Sequence, residues 1–468
     1  MRLSTPNSVL MRCLFLPAGI LLLNSCVLGP EPGKPETSAP SSIRGDSSPG
    51  GASFGDRAWR KVFTDATQCA LIARALQNNP DLIAATYRIE EARAIAAAAH
   101  ASWYPSLDGS AEASENYASR NAGSTGERGK ESFGLTALLS WEADLWGGIR
   151  RSNQAARSRL LAAEYQHDAV QTSLVAAVAS AYIDLKNLDE RLEIARRTAA
   201  SRSTSLDLVK TRRDGGVSSD LEVGQSEALL RQAQITIPLT EQALAAKENE
   251  IRALLGDYPG AIARGGSMDR LESSLHIAGG LPSSLLERRP DLAAAAQSFQ
   301  AATAEIGVAE ALRLPSLSLT GRGGVLSNDL RSLLEGRSGT FSIGPQLAGP
   351  LFDAGRSGFG VKAAQARAKQ AAADYQKATQ QAFREAADAL NAFQKTGEII
   401  TRRRQLIDSL RSVSSLAQER FRGGSSGYLE VLDAERSLFN AELDLADARR
   451  NHLQAIVQAY RALGGGWK

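Results

Sequence analysis

The chain reverses direction twice on glycine. Arg213-Asp214-Gly215-Gly216-Val217-Ser218 separates two long runs patterned as helix, and Arg422-Gly423-Gly424-Ser425-Ser426-Gly427 separates two more. A sharp reversal between helices calls for glycine because one residue of the turn takes positive φ. The rest of the plan is also written twice. Pro80-Asp81 recurs as Pro290-Asp291 and Pro105-Ser106-Leu107 as Pro315-Ser316-Leu317, both offset by 210 residues. Leu221-Glu222-Val223 recurs as Leu429-Glu430-Val431 and Leu255-Gly256 as Leu463-Gly464, offset by 208. The 468 residues therefore form two structural repeats rather than two or three unrelated domains.

Within each repeat a helix is followed by alternating strands and then by a helical hairpin. The first helical pattern, Ala66 to His100, pauses at Asn78-Asn79-Pro80-Asp81, where asparagine or aspartate can cap a restart at Leu82. From near Gly147 to Asp214 there is no proline, and at 1.5 Å per residue such a helix is about 100 Å long, more than a globular core requires. Leu174, Val178, Ala181, Leu185, Leu188, Leu192, Ala195 and Ala199 alternate by fours and threes, a seam for coiled-coil packing. The return helix spans Asp220 to Leu255, with Pro238 marking a kink or break. The last helix carries Leu432, Phe439, Ala446, Leu453 and Tyr460 at sevens. Abundant alanine with only 6% aromatics suits helices whose backbones approach closely.

The strands alternate apolar with polar. Leu107 to Ser114 is followed by a polar, glycine-rich loop from Asn116 to Lys130, and Phe133, Leu135, Ala137, Leu139 and Trp141 continue the dry face. The second repeat supplies Leu317, Leu319, Gly321, Gly323 and Val325, then Phe341, Ile343, Pro345 and Leu347 beyond a loop from Asn328 to Gly339. Two readings fit: a soluble sheet packed on helices, or strands crossing a bilayer with lipid on one face and water on the other. Four strands cannot close a barrel, and lipid does not tolerate an open edge. The membrane reading therefore requires several copies, and three give twelve strands with room for a channel. Asp108, Ser110, Glu112, Thr320, Arg322 and Gln346 would then line water.

At the N-terminus, Arg2 and Arg12 precede an apolar run from Leu14 to Leu23, too short to span a membrane and suited to a signal peptide. Leu23-Asn24-Ser25-Cys26 resembles a bacterial lipobox, with Cys26 as the acylated residue; an ordinary secretory signal cut nearby is the alternative. Gly29 to Gly55 is rich in Pro, Gly and Ser and is expected to be an extended tether. Cys69 is a lone thiol on a helix with no assigned role. The expected divisions are a signal peptide at 1–25, a lipidated tether at 26–55, a first repeat at 56–256 with its β-hairpin at 105–146, a linker at 257–280, and a second repeat at 281–468 with its β-hairpin at 315–353.

Charge and chemistry exclude other classes. The 54 basic and 51 acidic residues nearly cancel to +3, which does not suggest nucleic acid. His100, His167, His276 and His452 are scattered without metal-ligand spacing, Gly355 to Gly360 does not fit a dinucleotide motif, and Arg402-Arg403-Arg404 fits a solvated helix face. No enzyme and no cofactor other than a covalent lipid are expected.

Gly280-Leu281-Pro282-Ser283-Ser284-Leu285-Leu286-Glu287-Arg288-Arg289-Pro290-Asp291-Leu292, Leu314 to Gly321, Asp144-Leu145-Trp146-Gly147 and Pro350-Leu351-Phe352-Asp353-Ala354-Gly355 together resemble the TolC-like outer-membrane efflux proteins. With the Cys26-Val27-Leu28-Gly29-Pro30 start, the chain is similar to their lipoprotein branch. The resemblance implies a mainly α fold with a small β part: long antiparallel coiled-coil hairpins forming an α-barrel, and four transmembrane strands per chain that close a twelve-stranded barrel in a homotrimer. It implies an exit duct in the outer membrane with a long periplasmic extension, passing drugs or other small molecules. Its partners would be a periplasmic adaptor at the helix tips and an inner-membrane pump of the resistance-nodulation-division kind. A protein-secretion outlet and a lipid-anchored periplasmic scaffold remain as alternatives.

By the same resemblance Glu222, Glu430 and Asp433 would ring the narrow periplasmic entrance, and Gly215, Gly216, Gly423 and Gly424 would meet the adaptor. Turn geometry alone also explains the glycines, and solvated helix faces the acids. Phe421 stands where relatives often have tyrosine and Ser426 where some have arginine, so gate control is expected to fall to Arg212, Arg213, Arg420 or Arg422.

Overall fold

A computed structural model describes residues 27–33, 35, 40, 42–44, 53–117, 121, 129–268, 277 and 282–467. The signal sequence, the acylation expected at Cys26 and about half of the tether lie outside these residues. After a single turn at Trp59–Val62 come α1 (Ala66–Asn78), α2 (Pro80–Ala101), β1 (Ser106–Tyr117), β2 (Gly129–Ala143), α3 (Gly148–Asp214) and α4 (Asp220–Leu254). Then follow α5 (Pro282–Arg288), α6 (Pro290–Ala311), β3 (Ser316–Ser327), β4 (Gly339–Ala348), α7 (Arg356–Arg422) and α8 (Tyr428–Ala462).

Two compact units share these elements. The first comprises residues up to Glu36, Ile89–Ala162 and Ala295–Tyr375 and holds the sheet. Its strands run in the order β1-β2-β3-β4, all antiparallel. Register puts Leu107, Leu139, Gly321 and Ile343 in one row, and Trp141, Leu319 and Pro345 in another, so the apolar positions form one continuous face. Asp108, Arg322 and Ser342 share a row on the opposite face, as do Ser110, Thr136 and Thr340; side chains alternate strictly along each strand. The hairpin loop is shorter than expected, because Asn116, Tyr117, Gly129 and Lys130 pair within the ladder. Their backbones continue the antiparallel bonds despite the polar side chains, since pairing depends on main-chain groups.

Aspartate starts both long helices. Asp144 accepts from the amides of Ile149 (2.9 Å) and Arg150 (3.1 Å), and Asp353 accepts from those of Gly355 and Ser357, each at 2.9 Å. These carboxylates satisfy donors that a helix N-terminus leaves free.

The second unit comprises Thr37–Arg88, Ala163–Ala294 and Gln376–Lys468. The seam of α3 is its core: Val178, Leu185 and Ala195 are fully buried, and Leu188 and Leu192 are partly so. On α8, Phe439, Ala446, Leu453 and Tyr460 are buried. Asn79, rather than Asp81, caps α2, accepting from the amides of Asp81 (2.9 Å) and Leu82 (3.2 Å), with Pro80 at the first helical position. Pro238 does not break the return helix: α4 runs unbroken from Asp220 to Leu254. One missing N–H removes one hydrogen bond, and packing of Leu229, Leu230, Ala233 and Leu244 on either side holds the rod together.

Arg289 ties this unit together. Nearly buried, it donates to Asp291 (2.7 Å), to Glu385 (3.0 Å) and to the Ala462 carbonyl (3.3 Å), so the Arg-Arg-Pro-Asp segment joins α6, α7 and the end of α8. Cys69, half-buried, places its Sγ 3.1 Å from the Phe63 carbonyl oxygen.

Candidate functional site

Both hairpin tips are built by the same hydrogen bonds. At the first, Gly216 N–H donates to Arg213 O (2.8 Å) and Val217 N–H to Arg212 O (2.8 Å); at the second, Gly424 donates to Phe421 O (3.1 Å) and Ser425 to Arg420 O (2.9 Å). This is a glycine-terminated helix end in which one left-handed residue lets two amides reach back to orphan carbonyls. Gly216 and Gly424 are that residue, with φ of +77° and +75°. Gly215 and Gly423 lack positive φ, so turn geometry explains the second glycine of each pair and not the first. Space is open around Gly216 and Gly424: a Cβ on either would meet nothing within 4 Å.

The three acids expected at the entrance each have a partner. Glu222 closes a capping box, accepting from Ser219 N–H at 2.8 Å while Ser219 Oγ accepts from Glu222 N–H at 3.3 Å. Glu430, exposed, is 3.8 Å from Arg420, and Asp433, also exposed, is 2.7 Å from Arg436. Glu430 and Asp433 lie three residues apart, on neighbouring positions of one helix face.

The tips meet each other. Val209, Ala417, Phe421, Tyr428, Val431 and Ala434 form one buried apolar cluster, with Val223 packed against it. The Arg212 guanidinium lies 4.6 Å from the Phe421 ring centroid and donates to the Arg422 carbonyl at 3.3 Å. A cation over an aromatic face thus joins the first tip to the second where a phenol hydroxyl is lacking. The other arginines stay local: Arg213 pairs with Asp214 and Asp220, and Arg420 with Glu430.

Sequence reasoning missed the polar compartment behind the tips. Arg202, 2% exposed, donates to Leu229 O at 2.6 Å and lies 4.9 Å from the Phe439 ring centroid. Glu435, 8% exposed, accepts from Gln418 (2.8 Å) and Ser205 (3.3 Å). Burial pulls the Arg202 guanidinium below the usual arginine value, and the charge of Glu435 pushes back. Burial also raises the Tyr428 hydroxyl, the Ser226 hydroxyl opposes it, and the charges of Glu435 and Glu222 add to the rise. The signal was available: Arg202 continues the four-three seam after Ala199, and Glu435 falls between Leu432 and Phe439. Among the described residues, no group of three or more His, Cys, Asp or Glu could hold a metal ion.

Comparison with known proteins agrees along the chain. The sequence profile of the outer membrane efflux protein family matches residues 71–257 and 281–465. The toluene efflux pump outer membrane protein TtgF of Pseudomonas putida is 35% identical over 411 residues, covering 87% of this chain and 85% of that protein. The cation efflux system protein CusC of Escherichia coli strain K12 is 33% identical over 460 residues, covering 97% and 99%. The open state of the MtrE outer membrane channel of Neisseria gonorrhoeae superposes with a TM-score of 0.85 at 27% identity, covering 95% of this chain and 99% of that one. Matched through both repeats and against relatives of similar length, the chain belongs to the outer membrane efflux protein family and is an outer-membrane exit duct, not an enzyme.

Proposed function

We propose that three copies of this chain close a twelve-stranded barrel in the outer membrane and conduct small molecules or ions delivered by a periplasmic adaptor and an inner-membrane pump. One observation carries this reading. The apolar face of the sheet is continuous across four strands and stays exposed out to both edges, with Leu107 at 73% on β1 and Leu347 at 67% on β4. A soluble sheet would cover that face; lipid covers it here, and neighbouring copies supply partners for the edge strands.

Aromatics at the strand ends support the same placement. Trp103, Tyr104, Trp141 and Trp146 cluster at the helix side of β1 and β2, where Trp141 donates to Trp103 O (3.0 Å) and Trp146 to Pro315 O (2.7 Å). Tyr117 lies at the opposite end of its strand. Amphipathic rings at both edges of an apolar band are what membrane interfaces select.

Cys26 carries the lipid anchor in this reading. Glu222, Glu430 and Asp433, repeated three times, set a negative field at the periplasmic mouth that favours cations. Gly215 and Gly423, freed from the demands of turn geometry, are the tip positions offered to the adaptor, beside Gly216 and Gly424. Relatives named for toluene and for cation efflux support a small-molecule or ionic cargo chosen by the pump. Native mass spectrometry of the detergent-extracted protein tests the assembly: trimers are expected, and a monomer that keeps its sheet would refute it.

A further inference from the structure

We propose that the residues following Cys26 are not a loose leash but a strap seated in a built socket at the foot of β2, with Arg151 and Gly307 as its positioning residues. The proposal rests on acylation of Cys26 for its membrane consequence, though not for the socket itself.

The socket is built around one buried cation. Arg151, 1% exposed, lies in the first turn of α3 and donates from Nε to Leu28 O (3.0 Å), from Nη2 to Gly29 O (3.1 Å) and from Nη1 to Gln154 Oε1 (2.9 Å). Glu31 adds a carboxylate 3.5 Å away. A guanidinium is tolerated inside a protein when its donors are satisfied, and the strap carbonyls satisfy them. Leu28 N–H donates in turn to Trp146 O at 3.2 Å, three residues past the end of β2.

Glycines make room for the strap. A Cβ on Gly307 would sit 2.5 Å from Leu28 O, one on Gly29 would sit 2.6 Å from Gly307 Cα, and one on Gly147 would sit 3.0 Å from Val27 Cα. Gly29 and Gly147 also have φ of +81° and +75°. Gly307 lies inside α6, where glycine is less favourable than alanine, so close approach of another backbone is its reason to be there. The repeat sharpens this. At the equivalent positions of the other copy stand an exposed Phe359 and Ala97, and the strap lies against the copies that carry arginine and glycine.

The consequence is a fixed height for the anchor. Cys26 precedes Val27 by one residue, about 3.8 Å of chain, so acyl chains on Cys26 enter the bilayer beside the aromatic ring of residues at the foot of the barrel.

The test uses the full-length protein with Cys69→Ala and a reporter thiol, Leu28→Cys, whose backbone carbonyl stays in the socket. Modification by a maleimide-polyethylene glycol is timed in detergent-extracted protein, alone and with Gly307→Ala or Arg151→Met. Both substitutions are expected to speed labelling by about tenfold or more through local release of the strap. An unchanged rate in Gly307→Ala overturns the proposal, because that substitution otherwise favours its helix. Metabolic labelling with an alkyne palmitate separates the two readings. Label lost in Cys26→Ala supports acylation there; label absent from every sample refutes acylation, and the maleimide rates repeated in a Cys26→Ala background, where no second thiol competes, then decide on the strap alone.

Discussion

The Arg202 guanidinium of α3 and the Glu435 carboxylate of α8 lie within each other's field behind the hairpin tips, 2% and 8% exposed, at two seam positions that coiled-coil packing would give to apolar side chains. A polar pair in such a seam specifies register at some cost in stability. Arg202→Met removes the bond to Leu229 O and the positive charge nearest Glu435 in the seam, and is expected to destabilise the tip by about 1–2 kcal/mol, with the double change Arg202→Met, Glu435→Leu recovering most of that. Amide exchange over residues 205–215 and 425–435 reports it. Equal protection in the single and double variants would show that the charges are uncoupled.

The two glycines of each tip separate turn geometry from partner contact. Gly424→Ala forces a Cβ into φ of +75° and is expected to cost about 1–2 kcal/mol. Gly423→Ala meets Glu419 O at 3.4 Å and Arg420 O at 3.7 Å, both near ordinary contact, and should leave melting within about 0.5 kcal/mol of the parent. If the adaptor contacts this surface, Gly423→Ala lowers export in cells although the channel is stable. Full export from a stable Gly423→Ala channel would assign the position to chain reversal alone.

Charge at the mouth can be removed without disturbing the cap. Glutamine serves as well as glutamate at the third position of a capping box, so Glu222→Gln retains the bond from Ser219 N–H. The triple variant Glu222→Gln, Glu430→Gln, Asp433→Asn is expected to fold and to lose cation preference. Reversal potentials across a salt gradient measure this, and values identical to the parent would remove these acids from the conduction path.

Acid should loosen the second unit at Glu385. Burial pushes its carboxyl up, but the Gln381 amide and the Arg289 guanidinium outweigh burial and hold it below its ordinary value of 4.5. A carboxyl with a depressed folded-state value adds stability above its unfolded value and loses it as pH falls through the folded one. The loss therefore falls below about pH 4.5, and neutral pH shows no slope from this group. Glu385→Gln should flatten that part of a melting-against-pH curve; an unchanged curve would assign the acid sensitivity elsewhere.

Much of this architecture is legible because it is periodic. The repeat offset, the α3 seam and the alternating strands each recur often enough for one exception not to hide them. What escaped was single-residue and long-range. Arg202 and Glu435 interrupt the apolar pattern that would announce a seam, though their spacing keeps it. The Pro/Gly/Ser stretch after Cys26 suggested a solvated tether, yet Val27 to Gly29 are held by groups more than a hundred residues away, and Ile43, 5% exposed, joins the core of the second unit. Local propensity reads Pro238 as a kink or break, and the break is absent because packing on either side carries the helix through. Glu222 has two explanations at once, since an acid near a helix start both caps the helix and carries charge.

The central claim is that copies of this chain close into a conducting duct, and single-channel recording of the purified, heat-resistant trimer in planar bilayers tests it most directly. Discrete cation-preferring conductance steps that vanish when the sample is boiled to monomers are expected. Intact trimers that insert into the bilayer and pass no current would contradict the account.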